Sequence, residues 1–94
     1  MKRKSQALLL ANSNTEDKNL RKTIEELAEL TVELLQKLNK PHKNNDKEII
    51  KEIADVKIRM YYLTDRFGKA TINNAIDTKL KYLNKHVNIR RRSN

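Results

Sequence analysis

Two pairs of acidic residues have a spacing that suits metal binding. Glu26 and Glu29 are three residues apart, and so are Glu52 and Asp55. On a helix, side chains three residues apart lie on one face, so each pair presents two carboxylates together. Four carboxylates facing one cleft repel one another unless a cation lies between them. Oxygen ligands favour hard cations, so the pattern indicates Mg²⁺ or Mn²⁺ ahead of Zn²⁺.

A solvated helix face is the simpler interpretation of either pair alone. Charged residues make up 35% of the sequence, and acidic pairs at this spacing are common on such helices. Both pairs, however, adjoin apolar residues of consecutive predicted helices, Glu26 beside Leu27 and Glu52 beside Ile53. If the two apolar stripes pack antiparallel, both acidic pairs face the same cleft.

The first long helix is predicted from about Ser13 to Asn39. Ser13 and Glu16 have the spacing of a capping box, and Pro41 follows the end. The repeat of apolar residues at three- and four-residue intervals predicts one buried face. That stripe consists of Leu20, Ile24, Leu27, Leu34, Leu35 and Leu38, with Thr31 among them.

Two further long helices follow a polar loop over residues 40–46. The second is predicted from about Asp46 to Phe67, with Asn45 or Asp46 as its N-cap. Gly68, the single glycine, falls where a helix end favours a left-handed residue. The third is predicted from about Thr71, its N-cap, to Ile89, and a weaker pattern indicates a short helix over residues 6–11.

These elements predict an all-α fold in which three main amphipathic helices form a bundle completed by homo-oligomerisation. The 94 residues leave room for a single helical domain over residues 1–94, with flexible basic tails at 1–5 and 90–94. The apolar stripes are long for so few helices, so we expect a second copy to complete the core.

The net charge of +9 is concentrated at the two ends of the chain, and the residues between them balance. A nucleic acid could therefore contact the tails, although no nucleic-acid partner is expected.

The absence of cysteine suits a reducing compartment, and the longest apolar run, Ala7–Ala11, is too short for a membrane span. We expect a cytoplasmic protein without membrane contact.

The ordered acids resemble a known family signature. Residues 25–29 read E-E-L-A-E and residues 52–56 read E-I-A-D-V, with 22 residues between them. This order resembles the E-E-x-x-E … E-x-x-D signature of the MazG-like all-α nucleotide pyrophosphohydrolases. Residues 79–83, K-L-K-Y-L, resemble the K-L-x-R-L stretch of that family's last helix and depart from it at Lys81 and Tyr82. The resemblance covers about residues 18–88.

The resemblance implies a reaction, a cofactor and an assembly. Such enzymes hydrolyse nucleoside triphosphates between the α- and β-phosphates, use Mg²⁺ and assemble as homodimers or homotetramers. The matching metal ligands and catalytic residues are Glu26, Glu29, Glu52 and Asp55. Glu25 would support the ligands without binding metal itself.

Several other residues carry weaker hypotheses. The resemblance makes Lys79 a candidate phosphate contact, and Tyr62 or Tyr82 has the aromatic surface to stack on a nucleobase. Placement in the core or at the surface is the simpler interpretation of both tyrosines. His42 lies in a polar loop and His86 on a basic helix, where surface positions are expected.

Lys57 and Arg59 depart from the family pattern, because apolar residues are common at those positions. They would face solvent, line the substrate entrance or contact a partner subunit.

A second class of function also stays open. In that alternative the chain is a non-catalytic basic helical protein that binds nucleic acid or another protein through its ends.

Overall fold

The computed structural model describes the backbone of residues 1–93 and the side chains of residues 1–87. Residues 1–93 form four α-helices and no strand: α1 (Arg3–Asn12), α2 (Glu16–Asn39), α3 (Asp46–Phe67) and α4 (Lys69–Ser93). The predicted all-α class is confirmed. None of these four helices combines the length and apolar character needed to cross a membrane. The side chains of the predicted basic tail at 90–94 lie outside the described residues.

The chain divides into two units after Leu63. The first unit, Met1–Leu63, contains α1, α2 and most of α3, and it holds all four candidate metal ligands. The second unit begins at Thr64 and contains the end of α3 together with α4. A single domain over residues 1–94 stays a prediction.

Helix α2 begins after Thr15, so the capping box predicted at Ser13 and Glu16 is wrong. The Thr15 hydroxyl oxygen accepts a hydrogen bond from the backbone N–H of Lys18 at 3.2 Å. Ser13 instead follows α1, and its hydroxyl donates to the Leu10 carbonyl at 2.6 Å. The reason is that α1 runs further along the chain than the sequence indicated, so Ser13 ends that helix.

Helix α1 is longer than the stretch predicted over residues 6–11. Its first residues fall in the segment 1–5 for which flexibility was expected. It buries two small side chains, Ala7 and Ala11, which lie one turn apart on the same face. Small residues on that face allow the helix backbone to approach its neighbours closely.

The predicted bounds of α3 are confirmed, and Gly68 separates α3 from α4. Gly68 has a φ of 96°, a conformation that strains any residue with a side chain. Its N–H donates to the Thr64 carbonyl at 2.9 Å, and its own carbonyl accepts the N–H of Ile72 at 3.0 Å. Because that second bond already belongs to α4, the helix begins at Lys69, and the prediction of Thr71 as its N-cap is wrong.

Few side chains are buried within the single chain. Among residues 1–87, three apolar residues and four polar ones are buried: Ala7, Ala11, Ile49, Asn19, Thr23, Asn45 and Glu52. The α2 stripe that was expected to be buried is open to solvent, with Leu27 43%, Leu35 50% and Leu38 76% exposed. The reason is that only the ten-residue α1 accompanies α2 and α3 in the first unit.

A buried asparagine links the three helices of the first unit. The Asn19 side chain on α2 is 2% exposed, and its amide donates to the carbonyl of Ala11 at the end of α1 at 2.9 Å. Its amide oxygen accepts from Arg59 of α3 at 3.4 Å, and its backbone carbonyl accepts from the Thr23 hydroxyl at 2.8 Å. The amide is a second donor to the Ala11 carbonyl, which also accepts the Asn14 N–H at 3.0 Å at the C-terminal end of α1.

We expect Asn19→Ala to destabilise the protein by about 1 kcal/mol, because it removes a buried hydrogen bond and leaves the Ala11 carbonyl with the Asn14 N–H as its donor. The free energy of unfolding from urea denaturation measures the loss. Asn73→Ala, at an exposed position of α4, is the matched control and should change stability far less. Equal losses in the two variants would contradict the linking role of Asn19.

Candidate metal centre

The short loop between α2 and α3 fixes which residues of the two helices face each other. Asn45, just before α3, is 2% exposed, and its amide donates to the Glu33 carbonyl at 2.9 Å and to Glu33 Oε2 at 2.8 Å. Lys37 of α2 forms an ion pair with Asp46 of α3 at 2.7 Å. The Asn45 amide therefore ties the two helices together instead of capping α3.

The tie sets the antiparallel register of the acidic residues. Glu26 lies about two helical turns before Glu33 on α2, and Glu52 lies about two turns after Asn45 on α3. Equal distances along two antiparallel helices bring Glu26 and Glu52 to the same level. Because about two whole turns separate Glu26 from Glu33 and Glu52 from Asn45, each acid lies on the same face of its helix as the residue of the Asn45–Glu33 contact.

The four predicted metal ligands converge. One carboxylate oxygen from each of Glu26, Glu29, Glu52 and Asp55 lies within 4.8 Å of the other three. Glu52 is the most enclosed, with 8% of its surface exposed, whereas Glu26 and Asp55 are half-buried and Glu29 is exposed. We call these four residues the carboxylate cluster. The two pairs thus share one cleft, as the sequence predicted, instead of lying on separate solvated faces.

Two oxygen atoms of the cluster are buried without a hydrogen-bond donor. They are Oε2 of Glu26 and Oε2 of Glu52, which have no partner among the described residues. A buried carboxylate oxygen without a donor or a cation costs free energy, since it has lost its hydrating water. Such unpaired oxygens are positions at which a bound cation could replace the lost hydration.

The surroundings of the cluster raise the pKa of two of its members. Burial raises the pKa of Glu26, and the negative charges of Asp55, Glu29 and Glu52 raise it further. The pKa of Glu29 is also raised, first by a hydrogen bond with the Glu52 carboxyl and then by the charge of Glu52. Both shifts show that the cluster favours an added positive charge, either a proton or a metal ion.

A lysine that the sequence analysis missed adjoins the cluster. Lys51 Nζ lies 3.3 Å from Glu52 Oε1 and 3.2 Å from Asp55 Oδ2. The hydrogen bond to Asp55, followed by the one to Glu52, raises the pKa of Lys51. The spacing of Lys51 and Asp55, four residues apart on one helix, was the signal in the sequence.

The donor set fits a hard divalent cation. All four candidate ligand atoms are carboxylate oxygens, which Mg²⁺ and Mn²⁺ prefer, and the sequence has no thiolate to attract softer metals. Glu25, the leading acid of the motif, is exposed and lies outside the carboxylate cluster.

The two other predicted site residues lie together on α4, in the second unit. The Lys79 ammonium lies 5.5 Å from the centre of the Tyr82 ring, and that ring lies 4.1 Å from the His86 ring. A phosphate contact by Lys79 and a base contact by Tyr82 stay predictions. His42 and His86 are both exposed, as expected.

Lys57 and Arg59, the departures from the family pattern, have different surroundings. Arg59 is half-buried and contacts Asn19. Lys57 is exposed and lines a cavity of about 500 Å³ between α1 and α3, together with Leu10 and Tyr61. Arg59 therefore has a structural contact, whereas Lys57 lies at the wall of an open cavity.

Comparison with known proteins provides no relative whose role could be transferred. No protein-family model matches the chain, and neither a curated protein nor a solved structure matches it. The function must therefore be argued from the residues and the geometry above.

We expect Glu26→Gln to stabilise the metal-free protein at neutral pH, because it removes one of the crowded charges. The folded state raises the pKa of Glu26 above its ordinary 4.5, so ionisation costs stability as the pH rises through that range. The gain should vanish below about pH 4.5, where Glu26 is protonated in both states.

Urea denaturation across a pH series, with a chelator present, measures this difference. Glu25→Gln is the control, since it removes the same charge from an exposed neighbour outside the carboxylate cluster. A gain of the same size in both variants, or a gain that persists at low pH, would contradict charge crowding at Glu26.

Proposed function

We propose that the chain is an Mg²⁺-dependent nucleotide pyrophosphohydrolase of the MazG-like type. It would cleave a nucleoside or deoxynucleoside triphosphate between the α- and β-phosphates and release pyrophosphate. The convergence of Glu26, Glu29, Glu52 and Asp55 within 4.8 Å is the observation that supports the proposal most strongly. Their order in the sequence, which resembles the family signature, is the second support. Such substrates would place the enzyme in the cytoplasm.

The carboxylate cluster could bind the cations that are needed to neutralise the negative charge of the substrate. A triphosphate carries about four negative charges, which repel both an attacking water and the carboxylates themselves. The carboxylate cluster would hold Mg²⁺, which would supply positive charge to offset the negative charge of the phosphates and to activate the water. Glu26 and Glu52, the members with unpaired buried oxygens, would hold the metal from opposite helices. Glu29 and Asp55 would complete the ligand set from the more open side.

The family resemblance also makes two residues of α4 candidate nucleotide contacts within the second unit. Lys79 carries a positive charge suited to a phosphate oxygen, and Tyr82, 53% exposed, offers a ring face to a base. The 5.5 Å separation of the two groups allows one nucleotide to contact both. These contacts are part of the proposal.

Binding through a basic surface, without catalysis, is the competing function. Release of pyrophosphate from a panel of ribo- and deoxyribonucleoside triphosphates, with and without Mg²⁺, separates the two. Turnover that requires Mg²⁺ supports the enzyme. Salt-sensitive nucleic-acid binding that is lost on removing residues 88–94, without any turnover, would support the alternative.

We expect Glu52→Gln and Asp55→Asn to reduce turnover by at least about a hundredfold, because each removes a metal ligand while keeping the side-chain shape. Both variants should also bind Mg²⁺ more weakly, while circular dichroism shows unchanged helicity. Glu48→Gln, an exposed acid on α3 outside the carboxylate cluster, is the control and should retain activity. Wild-type rates in either ligand variant would refute the site.

We further propose that the protein is a homodimer or homotetramer. The support is the apolar face of α2 that the first unit leaves open to solvent, notably Leu35 and Leu38. Large apolar surfaces of this kind are uncommon on isolated chains and common at interfaces between copies.

We expect analytical ultracentrifugation to give two or four times the mass of one chain. The double variant Leu35→Glu/Leu38→Glu should shift the protein toward the monomer, since it places charges on the open apolar face of α2. Lys18→Glu, on the other side of the same helix, should leave the mass unchanged. A monomeric wild type would contradict the assembly without affecting the metal-site prediction.

A further inference from the structure

Lys51 is the one cation with described ion pairs to the carboxylate cluster among residues 1–87. Its Nζ contacts Glu52 at 3.3 Å and Asp55 at 3.2 Å, which are two of the four members. Its side chain is 68% exposed, so the lysine approaches the cluster from solvent while its partner Glu52 is enclosed. Lys51 is therefore free to move away without disturbing the packing of α3.

The position of Lys51 gives it two opposite effects on the cluster. Without a metal ion, its positive charge offsets part of the repulsion among four carboxylates. When a divalent cation approaches, the positive charge of Lys51 repels it. The Lys51 ammonium also contacts oxygens of two candidate ligands, which are then not available to the cation. Since both effects act on Glu52 and Asp55, stabilising the metal-free cluster necessarily weakens metal binding.

We propose that Lys51 is a tethered counter-ion of the carboxylate cluster, which holds Glu52 and Asp55 in the metal-free protein and competes with the divalent ion for them. Lys51 is a positioning residue in this role, because it acts through the ligands. The inference rests on the proposed metal site and adds a determinant of its affinity. Binding of the cation would release the ammonium from the two carboxylates.

The test is a titration of the full-length chain with Mn²⁺ at low ionic strength, in which electron paramagnetic resonance measures the free ion. Lys51→Gln should bind Mn²⁺ roughly three- to tenfold more tightly than the wild type, since exposed ion pairs are modest in strength. The same variant should melt at a lower temperature than the wild type in the presence of a chelator. Saturating Mn²⁺ should remove the difference in melting temperature between the variant and the wild type.

Two further variants separate competition from other effects. Lys51→Arg keeps the charge and should restore the wild-type affinity and melting temperature. Lys47→Gln removes the same charge one turn earlier on α3, where no ion pair is described within residues 1–87, and should change both quantities far less.

The possible failures are distinguishable. Equal affinities in Lys51→Gln and Lys47→Gln, or weaker binding in Lys51→Gln, would overturn the counter-ion role while leaving the metal site intact. A wild-type protein that binds no Mn²⁺ would overturn the metal site itself, and the counter-ion role with it.

Discussion

Like-charge repulsion among four carboxylates is the constraint on which the first unit depends. Bringing four acids within 4.8 Å of one another, partly out of water, opposes folding unless other contacts hold the helices in place. Those contacts are largely polar. Asn45 ties the start of α3 to α2, and Asn19 ties α2 to the end of α1 and to Arg59. Each tie donates a hydrogen bond to a backbone carbonyl and links two helices.

The first unit buries polar groups and leaves apolar ones exposed. Its buried residues are four polar ones and only three apolar ones, Ala7, Ala11 and Ile49, while leucines of α2 are left in solvent. In most small domains the apolar side chains are inside, because their burial is the main favourable contribution to folding. The first unit therefore combines several buried polar groups with an open apolar face on α2.

The sequence predicted those features that depend on neighbours along the chain. The bounds of α3, the left-handed Gly68 and the pairing of acids on each helix follow from helical periodicity and local backbone preferences. The convergence of the two pairs required one more assumption, antiparallel packing across a short loop, and the structure bears it out.

The N-cap of α2 was predicted wrongly because two nearby residues have similar local signals. The role of Asn19 was missed because its partners are distant in the sequence. Ser13 and Thr15 are both good N-caps, and the length of α1 decided between them. Asn19 accepts a hydrogen bond from Arg59, forty residues away, and no local pattern indicates that contact. Periodicity identified the apolar face of α2 without identifying what covers it.

The tie at Asn45 also determines where the chain can accept a change of length. A residue inserted before Asn45 would enlarge the exposed loop and leave the phase of α3 unaltered. A residue inserted between Asn45 and Glu52 would rotate the acids of α3 by about 100° away from those of α2. Tolerance to insertion should therefore change abruptly at Asn45. The length of the loop before it can vary during evolution, whereas the number of residues between Asn45 and Glu52 cannot.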